Sequence, residues 1–219
     1  MRDLQLVIFD CDGVLVDSEP ISNEVLAEAL TAEGLPTTSL QALAEYKGLL
    51  LSDVVARAEA KLGHALPRSW VEGYERERIA AFRRGLRPVP GAAATVELLI
   101  AAGLAVCVAS QGKQEKTRLT LGLTGLLDLF PDGALFSAYS VARGKPYPDL
   151  FLHAAGVMGA EPSRCVVVED TPIGVTAAAS AGMRVLGYAA DADETELREA
   201  GAAALLGSLT ELPPLLGLD

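Results

Sequence analysis

Five short apolar, β-rich runs, at residues 4–9, 104–109, 134–136, 165–168 and 184–187, punctuate the chain and alternate with helical patterns. Runs of this kind, too apolar to have one wet face, predict an α/β fold with a doubly wound, mostly parallel sheet. Helices are expected between them at about 92–102, 113–121, 148–157 and 173–181. The alternation breaks once. Residues 17–88 read as helix nearly throughout, with amphipathic stretches at 20–33, 39–46, 52–62 and 67–84 separated by Gly34-Leu35-Pro36 and by Gly63. The chain therefore divides into an α/β domain of residues 1–16 and 89–219 and a helical domain, 17–88, inserted after the first strand.

Composition narrows the function. The 219 residues are 50% hydrophobic and 21% charged, as in a soluble globular protein. The longest apolar stretch, residues 98–109, contains Gly103 and falls well short of the roughly 18 residues that cross a bilayer. The apolar run at the N-terminus is too short for a secretory signal and ends in carboxylates, so a cytoplasmic protein is expected, with no membrane partner. A net charge of −11 argues against a nucleic-acid surface. Cys11, Cys107 and Cys165 show neither metal-ligand nor disulfide spacing and read as buried, reduced thiols.

In an open parallel sheet, ligands bind beyond the carboxyl ends of the strands. The polar residues at those positions form a set. Asp10, Asp12 and Gly13 follow the first run, Ser110 and Gln111 the second, Lys145-Pro146 lies beyond the third, and Glu169-Asp170 follows the fourth. Converging carboxylates repel one another unless a cation sits among them, and oxygen-only donors suit Mg²⁺. A lysine and a hydroxyl in the same place suit a phosphoryl group. One carboxylate is then a nucleophile for phosphorus, while a second protonates the leaving alkoxide and later activates water.

These segments, FDCDGVLVDSEP at 9–20, Ser110, Lys145-Pro146 and Glu169-Asp170-Thr171-Pro172-Ile173-Gly174, resemble in order and spacing the four motifs of the haloacid dehalogenase superfamily. The branch they resemble contains the β-phosphoglucomutases and phosphoglycolate phosphatases, and residues 130–155 look closest to bacterial sugar-phosphate phosphatases, phosphogluconate-type among them. The resemblance implies a Rossmann-like core and a helical cap domain. It implies Asp10 as nucleophile, Asp12 as general acid/base, and Ser110 and Lys145 at the phosphoryl group. Mg²⁺ would be held by Asp10, Asp12 through its carbonyl, Glu169 and Asp170. Gly13, Gln111 and, on the cap, Lys47 are expected at the substrate. The expected activity is Mg²⁺-dependent hydrolysis of a small phosphorylated metabolite through an aspartyl phosphate, by a monomer or weak homodimer.

Three other activities differ at particular residues. A mutase of the β-phosphoglucomutase type shares the chemistry, but Ser22 stands where those enzymes place a cap histidine, and Gly48-Leu49-Leu50-Leu51 lacks their loop arginine. A phospho-accepting receiver module lacks both an equivalent of Asp12 and the long insert. A cysteine phosphatase needs an arginine six residues past its thiol, where Cys11, Cys107 and Cys165 have Asp17, Lys113 and Thr171. Asp17 is read as a structural residue of the hinge or first helix, His64 and His153 as surface or packing residues, and the arginines of the insert as a solvated face.

Overall fold

The computed structural model describes residues 3–218. In chain order the elements are β1 (Leu6–Phe9), α1 (Glu19–Ala32), α2 (Ser39–Tyr46), α3 (Leu51–Leu62), α4 (Arg68–Gly85), α5 (Ala92–Ala101), β2 (Ala105–Ser110) and α6 (Gln114–Leu123). They continue with β3 (Leu135–Ser137), α7 (Asp149–Val157), β4 (Cys165–Glu169), α8 (Pro172–Ser180), β5 (Arg184–Tyr188), α9 (Glu194–Glu199), β6 (Ala204–Leu206) and α10 (Leu212–Leu215). Among the described residues, no helix is long and apolar enough to cross a membrane.

The sheet has six strands in the order β3-β2-β1-β4-β5-β6, with every pairing parallel. β1 lies between β2 and β4, and Ile8 is level with Cys107 on one side and Val167 on the other. Residues Leu6 to Phe9 are wholly buried, as expected of a central parallel strand covered on both faces. The order reverses beside β1, which makes its carboxyl end the topological switch point. β6, α9 and α10 have no counterpart in the sequence pattern. β6 is only three residues within an Ala- and Leu-rich stretch whose periodicity favours neither helix nor strand.

The helical unit runs from Asp17 to Arg87, and the remaining described residues form the sheet unit. Pro88, grouped with the helical segment on sequence, belongs with the sheet unit, where it bridges Val16 in antiparallel fashion. Local signals fix the helix ends. Thr38 and Gln41 form a reciprocal capping box at α2, and Gly63 closes α3 in the left-handed conformation at φ 75°. This unit has its own core, which includes Val25, Leu26, Leu30, Tyr46, Val54, Trp70 and Tyr74. Trp70 stacks on Tyr74 with ring centroids 5.6 Å apart, and its indole N–H donates to the Ala29 carbonyl at 3.2 Å. Arg78 lies over the Tyr74 ring at 4.9 Å, so one arginine of the insert is packed on an aromatic face rather than simply solvated.

Truncating the central strand should be costly. Ile8→Ala is expected to lower the unfolding free energy by about 2–5 kcal/mol in urea denaturation, and a loss well below that would show that the sheet centre is not the stability core.

Candidate active site

Three neighbouring strands end within two residues of one level. Phe9 is in register with Val108 and with Val168, so the next residues lie side by side: Ala109 within β2, Asp10 just past β1 and Glu169 at the end of β4. Lys145 joins them. Its Nζ donates to Asp10 Oδ1 at 2.6 Å, to Glu169 Oε1 at 2.5 Å and to the Ala109 carbonyl at 3.1 Å. An ammonium has three N–H donors, and all three are used. The ring of Phe151 lies under the same nitrogen at 5.1 Å. Lys145 and Asp10 are each 7% exposed and Glu169 is 1% exposed, so the cluster is buried.

Each member is held from behind. Gln111 accepts from the Lys145 backbone N–H at 3.0 Å and donates to the Lys145 carbonyl at 3.1 Å, pinning the lysine's main chain. A Cβ at Gly144 would come within 2.9 Å of the same Gln111 amide, which explains the glycine there. Gln111, expected at the substrate, thus spends both ends of its amide on Lys145. Glu169 Oε2 accepts from the N–H of Thr171 at 3.0 Å and from its hydroxyl at 2.9 Å. Thr171 in turn caps α8, where Gly174 N–H donates to its Oγ1 at 3.1 Å. A Cβ at Gly174 would fall 1.9 Å from Glu169 Oε1, so only glycine lets this carboxylate lie against the helix.

Ser110 is buried at the end of β2, and its hydroxyl oxygen accepts from Gly112 N–H at 3.0 Å, shaping the turn into α6. Ser137 closes the same turn by donating to the Gly112 carbonyl at 2.7 Å. Asp12 forms an ion pair with Lys116, from the first turn of α6. Lys116 escaped the sequence reading, because a lysine within Gln-Glu-Lys-Thr-Arg reads as one more solvated helix residue. Lys47, in the helical unit, closes α2 and pairs with Glu19 at 3.3 Å. Asp17 is exposed and its backbone N–H donates to the Arg87 carbonyl at 3.0 Å. His153 packs edge-on against Phe136, as a packing residue does.

The electrostatics follow from one ammonium shared by two carboxylates. Burial, the Glu169 and Asp12 carboxylates together outweigh Lys145 and push the Asp10 carboxyl up to about 7. Burial alone would lower the Lys145 ammonium, but Asp10 and Glu169 overcome it and hold the lysine charged. Burial drives the Cys11 thiol far up, with Asp12 adding to the effect, and its sulfur lies 3.7 Å from Thr120 Oγ1. A thiol in that state is no nucleophile.

Among the described residues, no three acidic, cysteine or histidine side chains form a ready-made metal cage. The oxygen donors nonetheless fit a hard cation that keeps several of its waters. Gly13, at φ 79°, brings the loop after β1 so close to Asp170 that a Cβ there would lie 2.3 Å from Oδ2. The Asp10–Asp12 loop and Asp170 are therefore built around one small space. The motif resemblance also puts Glu169 in this ligand set. Here its oxygens face Lys145 and Thr171.

A carboxylate at the end of a central strand, an ammonium on it and an acidic neighbour two residues on make a centre for phosphoryl transfer. A family model for haloacid dehalogenase-like hydrolases matches residues 4–182. The chain belongs to the haloacid dehalogenase-like hydrolases. This hydrolase is 33% identical over 192 residues to the 6-phosphogluconate phosphatase of Escherichia coli, covering 87% of this chain and 85% of that one. Hexitol phosphatase A of the same organism is 32% identical over 197 residues, covering 88% and 86%. Among solved structures, a hydrolase of the same family from Deinococcus radiodurans, with bound phosphate and sodium, superposes with a TM-score of 0.80 at 32% identity, covering 99% of this chain and 96% of that one.

The raised Asp10 carboxyl has a sign that can be checked. Between its ordinary pKa of 3.8 and about 7 the folded state holds a proton that the unfolded state has lost, so this group's contribution is full below the lower value and fades as pH rises through the upper one. In chelator-treated protein, Asp10→Asn should therefore gain thermal stability relative to wild type as pH is raised across that window. Melting temperatures that stay parallel from acid to neutral pH would contradict the assignment.

Proposed function

We propose that this hydrolase is a phosphatase of small sugar- or polyol-derived phosphate esters, working through an aspartyl phosphate on Asp10. The observation that carries the reading is the Asp10 carboxylate at the switch point of the sheet, with one oxygen held by Lys145. Ion pairing fixes that carboxylate and spares it the cost of being ordered at the moment of attack.

The roles follow from position. Asp10 attacks phosphorus, and the ester oxygen departs with a proton from Asp12. Water then attacks the phosphoaspartate with Asp12 as base, returning the Asp10 carboxylate and free phosphate. Lys145 neutralises charge at the phosphoryl oxygens, the Ser110 hydroxyl donates to one of them, and Gly13 leaves room beside Asp170. Gln111 and Glu169 act through Lys145. Lys47 remains our candidate for contact with the substrate's remaining hydroxyls.

The Asp10 carboxylate, the Asp12 carbonyl and Asp170 suit Mg²⁺, with Glu169 behind them. When bound, the ion offsets the repulsion among these carboxylates and the phosphoryl oxygens. Support for the substrate class comes from the phosphogluconate and hexitol phosphatases among the relatives, and support for hydrolysis over mutase chemistry from Ser22 and Leu51.

Phosphate release from a panel of sugar and polyol phosphates tests the proposal. Asp10→Asn should abolish release, and a chelator should do the same until Mg²⁺ is restored. Turnover surviving in Asp10→Asn would remove Asp10 from the nucleophile's role. Isomerised sugar phosphate appearing in place of free phosphate would instead make the chain a mutase.

A further inference from the structure

We propose that Lys116 is a positioning residue that holds Asp12 ready to activate water, the half-reaction that separates a phosphatase from a phosphotransferase. The inference rests on the phosphatase reading and deepens it. Lys116 reaches Asp12 from α6, and its side chain is only 11% exposed against 29% for Asp12. An exposed ion pair between two mobile side chains contributes little and orders neither. This lysine is not mobile in that sense, because its stem lies over Gly112, where an added Cβ would be 3.3 Å from Lys116 Cδ. Gly112 is itself fixed by Ser110 and Ser137. The turn after β2 therefore builds both the Ser110 end of the site and the seat for Lys116.

The consequence concerns timing. After the ester oxygen has left, nothing of the substrate's sugar remains to orient Asp12. A base ordered only by substrate would then leave the phosphoaspartate waiting for a second sugar hydroxyl. Lys116 and Asp12 belong to the same unit, and their contact uses no atom of the substrate. The lysine holds the Asp12 carboxylate in place, and that carboxylate takes a proton from water. Water oxygen bonds to phosphorus, the bond to the Asp10 carboxylate breaks with its electron pair returning to Asp10, the water proton passes to Asp12, and phosphate is released.

Stopped-flow hydrolysis of p-nitrophenyl phosphate isolates this step, since p-nitrophenolate departs without an acid. Lys116→Met should give a burst of p-nitrophenol close to one equivalent per chain, followed by turnover reduced by about tenfold or more. Acid-quenched protein should carry one phosphate, on Asp10. Lys116→Arg should restore most of the turnover, which a purely structural defect would not predict. Steady turnover in Lys116→Met within about twofold of wild type, or a fall in kcat and kcat/KM together without a burst, would overturn the assignment while leaving the phosphatase reading intact. A wild-type chain that releases no phosphate from any ester would overturn that reading and this one with it.

Discussion

One ammonium ties together the ends of three parallel strands. Lys145 bonds the residue just past the matched positions of β2, β1 and β4, taking a main-chain carbonyl from the first and a carboxylate from each of the others. Parallel pairing without slippage is a precondition, since a one-residue shift would turn Asp10 or Glu169 to the opposite face of the sheet. The chemistry thus depends on strand register as directly as the core does. The reverse also holds. Two carboxylates this deeply buried would each cost several kcal/mol unpaired, and removing the lysine would leave both uncompensated.

The cluster carries one negative charge more than it can balance internally. Asp10 absorbs the imbalance, its carboxyl raised to about 7 while Lys145 stays charged. A cation placed among these oxygens relieves the same excess, which is the physical reason the donor set and the lysine belong to one design. Glu169 has a positioning part beside the one its motif implies. With Thr171 on one oxygen and Lys145 on the other, it transmits the position of the α8 N-terminus to the lysine. Gly174 is the condition for that arrangement, because any side chain there would occupy the carboxylate's place.

What the sequence reveals and what it hides divide along a physical line. Asp10, Ser110 and Glu169 are legible because each directly ends an apolar run, and the carboxyl ends of parallel strands are where such a fold exposes function. The helical insert is legible because its amphipathic periodicity replaces the strand alternation of its flanks. Helix α2 comes out with its full bounds, as Thr38 and Gln41 mark its start. Lys116 and the job of Gln111 are hidden because both depend on contacts between segments distant in the chain: Gln111 reaches the loop around Lys145, and Lys116 the loop after β1. No periodicity encodes such a pairing. A glycine at 112 beside the strand-end Ser110 is the available hint, since a glycine that lets something pass implies that something passes.

The placement of Lys116 bears on how a single scaffold yields both hydrolases and mutases. The attacking carboxylate, its lysine and the strand-end serine serve the first half-reaction equally in either case. Beside the cap residues at 22 and 48–51, discrimination then turns on whether the acid/base is in place when no sugar hydroxyl is present. A tether inside the sheet unit makes it so at all times, at the price of being unable to withhold water from the phosphoaspartate. The loop at residues 48–51 lacks the arginine by which mutases hold a second phosphate, and a permanently positioned base suits a chain that releases its phosphate to water. The loop and the tether therefore act in the same direction: the loop lacks the grip on a second phosphate, and the tether favours release of the first phosphate to water.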